Sequence, residues 1–179
     1  MPAAAVNTGE NVLGAMLLSK PKSLGASDSF TGVVTNQRII FARMTSEMVK
    51  QAVQQARSEA KADGKGFWGQ WSEQLKASFG YTQRYLTMDP STALSETPGN
   101  FMISNNAINE IKLHLKDTNK GQNQAQLNEF ELEIKSASGK YKFRTEERNE
   151  YVKLLKQVYG EKLKMPFGYF SSHGVKFTL

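Results

Sequence analysis

The chain has no cysteine among its 179 residues. Disulfides, thiolate metal sites and cysteine nucleophiles are therefore excluded. Histidine is scarce too: only His114 and His173 are present, separated by a predicted strand pair, hairpin and helix. No apolar run approaches the ~20 residues needed to cross a bilayer. The first residues, Met1-Pro2-Ala3-Ala4-Ala5-Val6, carry neither a basic n-region nor a sustained apolar stretch, so a cytoplasmic setting is expected rather than export. Also missing are a serine nucleophile elbow, a phosphate-cradling glycine loop and a paired-acid motif. Asp63-Gly64-Lys65-Gly66 lacks the strand before and the Gly-Lys-Ser/Thr ending of a phosphate loop, and reads as a helix break. An enzyme is the least expected class, and the residues call for no metal or cofactor.

What is present reads as one soluble globular domain. A hydrophobic content of 39% with 22% charged residues fits neither a disordered nor a membrane-embedded chain. The net charge of +6 suits an anionic partner in principle. Its distribution favours plain solubility, because no segment concentrates the excess: residues 1–44 hold four basic and two acidic groups, and 100–144 seven and five.

The order of elements is the strongest signal. Glu10 to Leu18 is mostly apolar and ends at the turn signal Lys20-Pro21-Lys22. Ser29–Val34 and Ile39–Met44 flank Thr35-Asn36-Gln37-Arg38, where Asn36 suits a tight hairpin bend. The period then changes. Thr45 or Ser46 caps a helix with a narrow stripe of Met48, Ala52 and Ala56, and a second helix carries Trp71, Leu75 and Phe79. Asp89-Pro90 reads as a fresh helix start, and Thr97-Pro98-Gly99 closes the helical region.

Strands resume at Phe101–Ile103. Ile108–Leu115 and Leu127–Ile134 each alternate apolar with charged residues. One antiparallel register matches them throughout: Lys112 faces Glu133, His114 faces Glu131, and Lys116 faces Glu129. On the other side Ile111 meets Ile134, Leu113 meets Leu132, and Leu115 meets Phe130. A slip of one residue sets charge against apolar groups everywhere, so the pattern selects its own register. The glutamate row is then a solvent face rather than a metal cage, and His114 is a solvated strand position. Ser138-Gly139 turns into a strand at Lys140–Arg144, and Thr145 caps a helix with Tyr151, Leu154, Leu155 and Val158 on one face, stopped at Gly160. The aromatic tail, residues 161–179, either tucks onto the domain or contacts another copy.

The stretch Thr35-Asn36-Gln37-Arg38-Ile39-Ile40-Phe41 resembles the Thr-Asn-x-Arg hairpin of GRAM and bacterial pleckstrin-homology-like domains. Asn106-Ala107-Ile108-Asn109-Glu110-Ile111 is similar to their entry into the fifth strand, and Phe143-Arg144-Thr145 to their last strand-to-helix junction. The resemblance covers about 9–160 outside an excursion at 45–98. It implies a mainly β fold: a PH-like, seven-stranded bent β-barrel capped by a C-terminal helix, with a helical insertion between the third and fourth strands. It also implies a non-catalytic binding or adaptor module. The phosphoinositide-binding members use a lysine near the end of the first strand and a basic pair on the second. Lys20 and Lys22 supply the former, but Asp28–Val34 carries no basic residue.

Two functional expectations follow. The first is docking on a protein partner or on a second copy, through the insertion (Lys65, Phe67, Trp68, Trp71) and the aromatic tail. The second is peripheral attachment to anionic phospholipid, with Lys20, Lys22, Arg38 and Arg43 as a basic rim and Trp68 as a wedge. Large rings packing the insertion onto the barrel are the blander use of Trp71, Leu75 and Phe79. Weak nucleic-acid binding ranks below both, since exposed strands alternate lysine with glutamate instead of clustering cations with aromatics.

Overall fold

The computed structural model describes residues 9–48, 50, 51, 54, 58, 80–116 and 128–169. The protein is mainly β. In chain order it has β1 (Val12–Pro21), β2 (Ser27–Thr35), β3 (Arg38–Met44), α1 (Pro90–Ser95), β4 (Phe101–Ser104), β5 (Ile108–Lys116), β6 (Glu129–Ser136), β7 (Gly139–Glu146), α2 (Asn149–Tyr159) and β8 (Leu163–Lys164). The strands form one sheet in the order β4-β3-β2-β1-β7-β6-β5-β8. Eight strands form where seven are expected, and the sheet is open: β4 and β8 stand at its ends rather than closing a barrel.

The β5–β6 pairing follows the register that charge and apolar matching dictate. Ile111↔Ile134, Lys112↔Glu133, Leu113↔Leu132, His114↔Glu131, Leu115↔Phe130 and Lys116↔Glu129 are all opposed. The β6–β7 hairpin extends the same logic, with Glu131 opposite Arg144 and Glu133 opposite Lys142. Its two-residue loop is Ala137-Ser138, one position earlier than expected, and Gly139 (φ 138°) is the first residue of β7. β1 also runs further than expected. Lys20 and Pro21 lie in the strand opposite Asp28 and Ser27, and the chain reverses at Ser23–Gly25 instead.

Although β3 and β7 are separated by β2 and β1 in the sheet, their rings meet. Phe41 stacks on Phe143 with centroids 4.9 Å apart, and Phe101 of β4 stacks on Phe41 at 4.6 Å. Phe30 of β2 packs edge-on against both Phe101 and Phe143. The sheet therefore bends across a shared interior lined by these rings and by Met16, Leu18, Ile111, Leu113, Phe130, Leu132 and Ile134.

Helix α2 covers that interior with Tyr151, Val152, Leu155 and Tyr159 buried, and with Leu154 and Val158 packed beside them. Each such side chain contributes on the order of 1.5–3 kcal/mol by leaving water. Its amphipathic stripe is the expected one, and so is its end. Gly160 adopts φ 51°, and its N–H donates to the Lys156 carbonyl. Its start differs: Arg148 is the N-cap, and Thr145 belongs to β7. The Thr145 hydroxyl donates instead to the Leu17 carbonyl (2.8 Å), while the Leu17 N–H donates to the Tyr151 hydroxyl (3.2 Å). Two side chains thus satisfy the backbone of β1 where no strand does.

Beyond α2 the described part of the tail, residues 161–169, lies against the domain. β8 pairs parallel with β5, Leu163 is buried, and Tyr169 packs on Phe130 at 5.6 Å. Phe167 remains fully exposed.

A second cluster lies on the other side of β2 and β3. Val33, Ile40 and Ala42 are buried against Tyr85 and Ala93, with Tyr81, Met88 and Leu94 beside them. The end of the 45–98 excursion thus packs onto the outer face of the sheet. Asp89 caps α1 as expected, accepting from the N–H groups of Ser91 (2.9 Å) and Thr92 (3.1 Å). Thr45 accepts from the N–H of Met48 (3.3 Å), as a helix cap there should. No helix among the described residues is long and apolar enough to cross a membrane.

Candidate functional site

The four cations read as one basic rim occupy two places. Arg38 opens β3, and its guanidinium grips the Glu10 carboxylate at two points, Nε–Oε1 and Nη2–Oε2, both 2.9 Å. Glu10 also accepts from the Thr35 hydroxyl at 2.7 Å. Asn36 completes the brace, accepting from the Asn11 N–H and donating to the Gly9 carbonyl. The Thr-Asn-x-Arg residues therefore tie the hairpin to the segment entering β1. Arg43 lies five residues further along the strand, roughly 16 Å away at ~3.3 Å per residue.

At that second place Asp28 gathers the cations. The Lys22 ammonium lies 2.7 Å from its carboxylate and the Arg43 guanidinium 3.5 Å, while Lys20 stands opposite it across the β1–β2 ladder. The hydrogen bond from Lys22, aided by the charge of Arg43, holds the Asp28 carboxyl below its ordinary range despite some desolvation. Lys65, Phe67, Trp68 and Trp71 lie outside the described residues, as does His173. His114 is exposed opposite Glu131.

The outer face of β5, β6 and β7 is a lattice of neutralised pairs. Glu133, nearly buried, has Lys140 at 3.0 Å, Lys142 at 3.6 Å and Lys135 at 4.0 Å. Glu131 holds Lys142 at 3.1 Å, and Glu110 holds Lys135 at 2.9 Å and Lys112 at 3.3 Å. Hydrogen bonds from Lys140 and Lys135 pull the Glu133 and Glu110 carboxyls below their ordinary range. Anions and cations in such rows satisfy one another, which leaves little field for a polyanion.

Between β1 and β7 the sheet parts. They are bridged only at Ser19↔Arg144. The groove beyond has a volume of about 510 Å³ and is lined by Lys20, Pro21, Glu131, Lys140, Tyr141, Lys142, Phe143 and Arg144. Its floor is aromatic, since Tyr141 stacks on Phe101 at 5.7 Å and Phe143 on Phe41. Its rim is cationic. Among the described residues, Lys20 and Arg144 form no ion pair. Lys20 is the sequence-identified residue that belongs to this site; Lys140, Lys142 and Arg144 were hidden in what reads as an ordinary alternating strand.

A second hollow of about 560 Å³ lies around the Glu10–Arg38 brace, lined also by Asn36, Gln37, Ser91, Met102, Ser104 and Asn106. Its charged groups are already paired with each other.

No protein-family model matches the chain, and no curated protein matches it. Among solved structures it is similar to the C-terminal domain of an unknown protein from Leishmania infantum, at 11% identity and a TM-score of 0.39, over 84% of this chain and 85% of that one. It is also similar to the hSac2 domain from human phosphoinositide phosphatase Sac2, at 11% identity and a TM-score of 0.41, over 89% of this chain and 77% of that one.

Proposed function

We propose that this protein is a non-catalytic, PH-like binding module that docks on a protein partner through the groove between β1 and β7. The strand order, with α2 laid over the bent interior, supports the PH-like reading. The groove itself carries the functional one: an aromatic floor and a cationic rim in one concave site, with Lys20 and Arg144 unengaged by acids among the described residues. Among the described residues, the titratable groups displaced from their ordinary values are accounted for by the fold. They are tyrosines desolvated in cores, such as Tyr85 and Tyr159, and members of ion pairs.

Attachment to anionic phospholipid is the second reading, favoured by the same cations. It is weakened because Arg38 is engaged at the far end of β3, and because Lys22 and Arg43 both lie against Asp28. A photo-crosslinking amino acid at Tyr141 tests the choice in cells. Docking on a partner predicts a discrete protein adduct that Lys20→Glu with Arg144→Glu abolishes. Salt-sensitive flotation with phosphatidylserine vesicles and no protein adduct would overturn it in favour of lipid.

A further inference from the structure

A proline stands where the β1–β7 ladder ends. Ala137-Ser138 is a two-residue loop, so Ser136 and Gly139 exchange the closing hydrogen bonds of the β6–β7 hairpin. Backbone direction alternates along a strand. The N–H and C=O groups of Lys140, Lys142 and Arg144 therefore point away from β6, toward β1. Arg144 meets Ser19 there. The next partners in that ladder would be Lys142 and Pro21, and Pro21 has no N–H to give. The ladder stops. The Lys140 and Lys142 backbone groups are left along the groove as a free strand edge, with no strand paired to them among the described residues.

A free edge of this kind accepts an extended segment by strand addition, in which main-chain hydrogen bonds give affinity and alternate side chains give specificity. What surrounds the edge selects the occupant. On its outer side stand Lys140, Lys142 and Arg144. The two ammonium groups also lie on Glu133 and Glu131, and with Lys20 and Arg144, unpaired among the described residues, the cations here outnumber the acids four to two. On its inner side lie the rings of Tyr141 and Phe143. A residue placed opposite Lys140 or Lys142 is met by cations, and the residue between them faces the rings. Resting on the docking reading above, we infer that the partner supplies an extended segment with acidic residues at two alternate positions and an apolar residue between them, added as a strand to the β7 edge.

The test selects displayed random eight-residue peptides on the full chain. Enrichment of the acidic–apolar–acidic pattern supports the inference. The best peptide is then remade with N-methyl groups at the two amides facing β7, which removes the donors and keeps the charge. Strand addition predicts an affinity loss of about tenfold or more. Pro21→Val supplies the missing N–H, lets β1 pair with Lys142 and should abolish peptide binding while leaving thermal stability equal or higher. Unchanged binding by the methylated peptide, or by Pro21→Val, overturns strand addition. If such peptides still lose affinity with Lys20→Glu and Arg144→Glu, docking in the groove survives. Selected peptides with no acidic alternation, or no enrichment at all while phosphatidylserine vesicles bind, would overturn the inference outright.

Discussion

Arg38 and Glu10 face each other in a two-point ion pair between the start of β3 and the residues entering β1, with the Glu10 side chain only 6% exposed. Such a pair is hard to break from one side. Removing the cation leaves a nearly buried carboxylate whose remaining partner is the Thr35 hydroxyl. Arg38→Met should therefore lower unfolding free energy by about 3 kcal/mol. Adding Glu10→Gln should recover much of that, because the stranded charge is gone. Urea titrations of the three variants check this. Capture of the partner at Tyr141 should be unaffected in the folded fraction, which separates a bracing role from ligand contact.

Gly14 is in β1 because α2 lies directly over it. A Cβ placed there would sit 2.5 Å from one Leu154 methyl carbon and 2.9 Å from the other. Gly14→Ala must displace the Leu154 side chain and should cost about 1–3 kcal/mol, as overpacking does. In the Leu154→Ala background the same change should cost little, or even stabilise, since alanine limits the unfolded chain more than glycine does. Thermal melts of the double-mutant cycle measure the coupling. Additive effects would mean that the helix does not rest there.

Tyr85 anchors the end of the excursion. Its ring is fully buried against Val33 and Ile40, and its hydroxyl donates to Glu96 at 2.6 Å. Arg84 bonds the same carboxylate and lies over the Tyr81 and Tyr85 rings. Tyr85→Phe keeps the ring and removes only the hydrogen bond, for a loss of about 1–2 kcal/mol. Tyr85→Ala opens a cavity and should cost about 3–5 kcal/mol. Limited proteolysis is the sharper readout. Cleavage within 80–96 should accelerate in Tyr85→Ala well before the main sheet unfolds.

Alternation made the β5–β6–β7 face readable residue by residue, because half-buried strands write their register into the sequence. β2 and β3 were readable as strands but not as two-sided. The signal was there: Ile39-Ile40-Phe41-Ala42 and Val33-Val34 are unbroken buried runs, which a strand covered on both faces requires. Their second cover comes from residues 80–96, distant in sequence, so the local pattern does not name it. The basic rim failed for a related reason. Arg38 and Arg43 look like neighbours along the chain, yet their partners Glu10 and Asp28 lie on other strands. The groove was least legible. Pro21 reads as a turn proline, and only the pairing of Ser19 with Arg144 shows that it stands at the end of a ladder.

The lysine–glutamate lattice makes stability depend on pH in a definite direction. Glu133, Glu110 and Asp28 are all held below their ordinary values, chiefly by hydrogen bonds from Lys140, Lys135 and Lys22. A carboxyl whose folded pKa is depressed stabilises the fold fully above its unfolded pKa, and that contribution is lost as pH falls through the folded value. Urea midpoints should thus be level from pH 7 to about 5 and decline below about 4, where ordinary carboxylates begin to protonate. Glu133→Gln is the informative variant, since Lys135, Lys140 and Lys142 all lie within 4.0 Å of that one carboxylate. It should be less stable at pH 7, where three ammonium groups lose their shared anion. It should also lose less on acidification, so the two curves draw together as pH falls. A variant that tracks the parent at constant offset through that range would show that the Glu133 charge is not what the lattice depends on.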